Sequence, residues 1–199
     1  TAMVSVVAKS ARNAASERIG AGPRPSAASI AARSLARSRS STRGSYAAAR
    51  LPPVSGPVDF THLHVNSEYS LLDGMGKIAP LLDEAKRLGM DSIGITDHGS
   101  LYGSVEFVQE ANRRGIKPII GVETYVARRG MHDKEGRADQ QPFHLVLLAA
   151  DDAGYRNLCR LVTDAHLEGM YYKPRIDLEL LAKHSDGLIG LSACLNGEV

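Results

Sequence analysis

The chain has no tryptophan, and aromatic residues make up only 5% of its 199 positions. That scarcity argues against a surface on which single-stranded nucleic acid stacks. Cysteine is nearly missing too: Cys159 and Cys194 are too few for a disulfide framework, which points to a reducing compartment. No apolar run approaches the roughly 20 residues that cross a bilayer, so membrane-spanning functions are set aside. Acidic residues are almost absent from the first 57 positions, where Glu17 stands alone against nine Lys and Arg. This stretch carries +8, so with a total of +2 the remainder carries −6. The basic character therefore belongs to the tail. An acidic domain does not hold a phosphate backbone by bulk charge, although bound cations reverse the sign locally.

Residues 1–57 also lack the large apolar side chains a core requires. Their Ala, Ser and Arg bias, with Pro23, Pro25, Pro52 and Pro53 scattered through, predicts a disordered tail. Three readings fit it: a solvated or mistranslated upstream stretch, an organellar transit peptide, or a nucleic-acid-binding arm. The chain opens on Thr1 and not Met, so its natural start is expected to be missing or processed.

From Val58 the pattern changes. Phe60–Val65 reads as a strand, followed by the loop Asp73-Gly-Met-Gly76. Ile78, Leu81, Leu82, Ala85 and Leu88 recur at helical spacing over Lys77–Leu88, and Gly89 stops the helix. Ser92–Thr96, Lys117–Val126, Phe143–Ala149 and Leu188–Leu191 read as strands. Helices are expected over Ser104–Arg114, from Asp151-Asp152 to about Glu168, and over Asp177–His184. Arg128–Gln141 reads as a polar loop and Lys173-Pro-Arg175 as a break. Alternating strands and helices predict an α/β fold with a parallel sheet and helical crossovers. No glycine-rich dinucleotide fingerprint follows the first strand, and polar groups gather at strand ends, so a barrel is favoured over an open doubly wound sheet.

Those polar groups carry the chemistry. His62 and His64 share one face of their strand. Asp97-His98 follows a buried run directly, Glu123 interrupts an apolar segment, His144 opens an apolar strand, and Cys194 follows the last one. Each has an ordinary reading: a core imidazole, a capping Asp97, a small hydrophobe at Cys194. Glu123 buried unpaired would cost several kcal/mol and calls for a cation or a hydrogen-bonded partner. One shared metal cluster accounts for all of them. Mixed imidazole and carboxylate ligation suits zinc, manganese or iron without choosing among them, and clustered metals suit phosphoester hydrolysis. His132, His166 and His184 are read as solvent-facing or capping.

Three segments carry a resemblance: His62-Leu-His64-Val-Asn66-Ser-Glu-Tyr-Ser-Leu-Leu-Asp73-Gly74, Gly94-Ile-Thr-Asp-His98-Gly-Ser-Leu-Tyr-Gly103 and Ile116-Lys-Pro-Ile-Ile-Gly-Val-Glu123. With Gly154-Tyr-Arg-Asn-Leu158 and Lys173-Pro-Arg-Ile-Asp177, residues 58–199 resemble the polymerase-and-histidinol-phosphatase (PHP) domain of bacterial C-family replicative polymerases, the DNA polymerase III alpha subunits. The resemblance implies a distorted (β/α)7 barrel, here cut short at its C-terminus, with metal ligands at His64, Asn66, Asp73, His98, Glu123, His144 and Cys194. His62 and Asp97 are candidates for supporting roles. His62 stands where stand-alone members carry Asp. Asn66 stands where metal-competent members carry a second His, and an amide oxygen replaces imidazole poorly at zinc. The family's closing Asp-x-His ligands are expected beyond Val199. The implied function is the N-terminal portion of a DNA-directed DNA polymerase. Its PHP site is then either a metal-dependent 3′–5′ proofreading exonuclease or a structural remnant that docks a separate exonuclease subunit. DNA, dNTPs, magnesium at polymerase carboxylates outside this sequence, the sliding clamp and a bacterial cytoplasm follow from that reading. The alternative is a stand-alone phosphoesterase such as a histidinol-phosphate phosphatase.

Overall fold

A computed structural model describes residues 60–197, so the reading of the basic tail lies outside the described residues. Helix α1 spans Ile78–Arg87, strand β1 Ser92–Ile95, α2 Ser104–Arg114 and β2 Lys117–Val126. A four-residue helix α3, Gly136–Asp139, interrupts the polar loop before β3, Phe143–Ala149. Helix α4 covers Asp152–Leu167, and Asp151 caps it by accepting from the Gly154 N–H at 2.8 Å. The short strands β4, Met170–Tyr171, and β5, Lys173–Ile176, precede α5, Leu178–Lys183, and β6, Leu188–Leu191. Two expectations are corrected here. Lys173–Arg175 is not a break but an antiparallel partner of β4, with Pro174 opposite Met170. Phe60–Val65 forms no named strand; it runs beside β1, where His62 and Val65 carbonyls accept from the Gly94 and Thr96 N–H groups at 2.7 and 2.8 Å.

The α/β class holds, with a six-stranded mixed sheet. β1 pairs with β2 in parallel, as expected, and so does the unforeseen β5, whereas β2–β3 and β3–β6 are antiparallel. The physical reason is the connection. Between β2 and β3 there is only one helical turn, too little for a packed crossover, so the chain returns as a long hairpin. Antiparallel pairing matters for chemistry, because it brings the end of β2 and the start of β3 to the same edge of the sheet.

Alternation along the strands separates two faces. Ile93, Ile95, Val122, Val126 and Leu147 face outward, where α1 and α2 bury Ile78, Leu82, Phe107 and Ala111 and α4 buries Leu158, Leu161 and Ala165. The register Gly121↔Leu148, Glu123↔Val146 and Tyr125↔His144, continued by Val146↔Leu191, sets the opposite face. Its floor is a small apolar cluster of Val146, Leu148 and Leu191 with Leu63, Ile119 and Ile189 packed against it. Gly94 lets the segment before β1 close over this floor: a Cβ there would lie 3.0 Å from the Leu63 carbonyl oxygen. Above the floor, at the C-terminal ends of β1, β2 and β6 and the N-terminal end of β3, lies the polar mouth.

Candidate metal centre

Glu123 is the centre of the mouth. It is 1% exposed, yet four groups converge on its carboxylate. His144 Nδ1 lies 2.7 Å from Oε1, while His98 Nδ1 and His64 Nε2 lie 3.2 and 3.5 Å from Oε2. Asn66 donates its Nδ2–H to Oε2 at 3.4 Å and lies 3.2 Å from His98 Nε2. Burial pushes the Glu123 carboxyl up, but the hydrogen bond with His144 and the charges of His98, His64 and His144 outweigh it, holding the pKa below the ordinary carboxylate range. A deprotonated carboxylate among imidazoles is what a cation requires.

Each imidazole is oriented by a neighbour. His64 Nδ1 shares a 2.8 Å hydrogen bond with Thr96 Oγ1, which leaves Nε2 facing Glu123. His98 Nε2 lies 3.0 Å from Asp73 Oδ2, and the His98 ring stacks on Tyr125 at 5.8 Å and 11°. His144 meets Tyr125 edge-on at 5.1 Å, and Cys194 Sγ is 3.5 Å from His144 Nδ1. All seven residues expected to be ligands thus fall in one connected network. The tightest subset is His98, Glu123 and His144, whose ligand atoms all lie within 4.8 Å of one another. Asp73 and Cys194 stand at its exposed rim.

The two supporting candidates part company. His62 is exposed and packs edge-on against Phe60 at 4.8 Å. Asp97 is 2% exposed, accepting from Ser67 N and Oγ at 2.7 and 2.8 Å and from Ser70 Oγ at 2.8 Å. Ser70 Oγ in turn accepts from the His98 N–H at 3.1 Å. Asp97 therefore pins the loop that carries Asp73 to the end of β1. At Gly99 (φ +60°) the chain turns sharply away, and a Cβ there would lie 2.7 Å from Pro174 Cγ.

Among the described residues, Asn66 Oδ1 is buried without a hydrogen-bond partner, and His98 Nδ1 faces only the Glu123 carboxylate, 3.2 Å away, without hydrogen-bond geometry. A buried acceptor with open lone pairs beside an ionised carboxylate fits a cation, and the donor set suits a divalent metal. Thr96 and Tyr125 escaped the sequence reading because neither is a ligand type; their only signal is placement on the face that carries Glu123. His166, read as solvent-facing or capping, instead lies 2.8 Å through Nε2 from the Gly99 carbonyl oxygen, on the wall of the same cleft. That cleft, about 640 Å³, is also lined by Tyr69, Tyr102 and Tyr125.

The profile of the PHP domain matches residues 62–199. Over 139 residues the chain is 48% identical to the DNA polymerase III subunit alpha of Borreliella burgdorferi, covering 69% of this chain and 12% of that protein. It is 48% identical to the Treponema pallidum subunit over 143 residues (71% of this chain, 12% of the relative) and 49% identical to that of Helicobacter pylori over 140 residues (70% and 11%). The chain thus spans about one eighth of the length of the curated relatives it matches. No helix among the described residues is long and apolar enough to cross a membrane.

Proposed function

Because this chain belongs to the PHP-domain family, we propose that it is the N-terminal PHP portion of a replicative DNA polymerase of the polymerase III alpha kind, with a phosphoesterase-type metal site at the sheet mouth. In that reading the whole protein is a DNA-directed DNA polymerase acting on DNA and dNTPs with magnesium. It works in the bacterial cytoplasm beside a sliding clamp and a proofreading exonuclease. Identity near one half across the PHP region favours it over a stand-alone histidinol-phosphate phosphatase.

The observation that supports a site is the convergence of three imidazoles on buried, ionised Glu123. His98, Glu123 and His144 would hold a zinc, manganese or iron ion, with His64, Asp73 and Cys194 in reach of a neighbouring one. When bound, such a metal supplies charge neutralisation at a phosphate oxygen and a more acidic water, the chemistry of diester cleavage and 3′–5′ proofreading. The protein's own part is orientation. Thr96 and Asp73 fix the rings of His64 and His98, and Tyr125 packs against those of His98 and His144.

Asn66 weakens this site. Its amide occupies the space between His98 and Glu123, donating to the carboxylate where a further imidazole would ligate metal. This favours low metal occupancy and a contribution that is largely structural, as a platform for the rest of the polymerase. Metal analysis of the purified chain after equilibration with zinc tests both parts. Fewer than three equivalents are expected, and Asn66→His should raise affinity about tenfold. Full three-metal occupancy in the wild type, or an Asn66→His chain that binds no better, would overturn this account of Asn66. No zinc bound by either would overturn the metal site.

A further inference from the structure

In a folded part dominated by acid, one wall of the mouth is basic. Lys173, at the start of β5, holds its Nζ 5.1 Å above the Tyr125 ring. Arg128, just past β2, lies with its guanidinium 4.1 Å over the Phe143 ring and donates its Nε–H to the Gln141 carbonyl at 2.6 Å. Among the described residues neither has a carboxylate partner, whereas neighbouring Arg129 is tied to Asp139 and Arg114 to Asp83. Both line the cleft that contains His98, His144 and Asp73. An aromatic ring beneath each cation limits its freedom while leaving its outer donors open, which is how a protein prepares a place for an external anion. Because the ring under Lys173 is the one stacked on His98, this cation stands one side chain away from the imidazole–carboxylate cluster. Across the opening, Tyr102 is 67% exposed and tilts over His166 at 6.3 Å, offering a face to a base.

We propose that Lys173, with Arg128 beside it, grips the phosphate adjacent to the one at the cluster, so that the cleft takes an extended single-stranded phosphodiester in preference to a lone phosphomonoester. This rests on the phosphoesterase reading of the cluster and adds a demand of its own, namely two anionic positions separated by one aromatic ring. Sequence-independent binding follows, since cations on phosphates and a tyrosine face read no base edge.

The test is a titration of the full 199-residue chain with the trinucleotide TpTpT in EDTA, where no metal contributes. Lys173→Gln is expected to weaken binding about fivefold and to flatten the salt dependence by roughly 0.7 in the log–log slope, the loss of one single-strand phosphate contact. Arg128→Gln should weaken it less, and Lys173→Arg should bind like the wild type. Lys117→Gln, at the opposite end of β2, removes the same charge and should change nothing, since the basic tail contributes equally to every variant. With zinc added, binding of dTMP should be indifferent to Lys173→Gln. The proposal is overturned if Lys173→Gln leaves TpTpT affinity and slope intact, if Lys117→Gln weakens binding equally, or if dTMP loses as much as TpTpT. If dTMP fails to bind in zinc while the EDTA result holds, the cluster is not a phosphoesterase site and the phosphate grip stands alone.

Discussion

Two buried charges, Arg175 and Glu123, belong to neighbouring strands and are treated in opposite ways. Arg175 is fully buried, and its guanidinium is closed off by backbone carbonyls: Nε to Gly169 at 3.1 Å, Nη1 to Asp139 at 3.0 Å, and Nη2 to Met131 and Asp133 at 2.8 and 2.9 Å. The Tyr171 ring lies 5.2 Å away over it. Around Glu123, by contrast, Asn66 Oδ1 has no partner, and His98 Nδ1 meets only the carboxylate itself. A buried charge whose three nitrogens all find carbonyls tethers the chain, here by tying the 131–139 loop to β5. A buried charge among unused lone pairs does something that packing alone does not require. The Lys173 side of the mouth borders both, because the loop that Arg175 tethers is the one that Arg128 leads into.

The comparison is broken most easily at Arg175. Arg175→Met would take the side-chain donor from the Met131, Asp133 and Asp139 carbonyls, while Gly169 keeps the Arg175 backbone N–H, and a loss of about 3–5 kcal/mol is expected. Urea denaturation measures it as a lowered midpoint with unchanged slope. A loss under about 1 kcal/mol would mean the loop finds other partners and the tether is unimportant.

Glu123→Gln sharpens the contrast from the other side. Removing this carboxylate should cut zinc affinity about 100-fold, read by competition with a chromophoric chelator. The stability change should stay within about 1 kcal/mol, because the cost of burying the ionised group offsets most of what its contacts with the imidazoles contribute. If Glu123→Gln destabilises as strongly as Arg175→Met, Glu123 is a structural charge and the distinction fails.

This asymmetry explains which features could be read from the sequence. The helix over Ser104–Arg114 and the strands over Lys117–Val126 and Phe143–Ala149 have the expected bounds, since their periodicity is local. Five of the seven candidate ligands, His64, His98, Glu123, His144 and Cys194, betray themselves by type as polar residues at the ends of apolar runs, whereas Asn66 and Asp73 are named only by the family resemblance. Periodicity carries no strand direction, so the antiparallel return of β3 was invisible, although it is what places His144 beside Glu123. Arg175 was read as part of a polar break. Its burial depends on carbonyls 36 to 44 residues earlier, and a carbonyl has no letter in the sequence. His166 was misjudged for the same reason, its partner being the Gly99 carbonyl 67 residues before it.

The smallest expected effect lies at Asp139, whose backbone carbonyl serves Arg175 while its side chain serves Arg129. The carboxyl accepts from Arg129 Nε and Nη2 at 3.0 and 2.5 Å and from the Glu135 N–H at 2.9 Å. The Arg129 hydrogen bonds, followed by that of the Glu135 N–H, hold its pKa down at about 2, against an ordinary 3.8. A carboxyl depressed on folding adds stability that is fully present above the ordinary value and is lost as pH falls through the folded one. Wild-type urea midpoints should therefore decline between about pH 4 and pH 2 more steeply than those of Asp139→Asn, which starts lower at pH 7 and has nothing to lose in that window. Parallel curves would show that the carboxylate contributes nothing to the turn, and that Arg175 holds the loop through its carbonyls without help from the ion pair beneath.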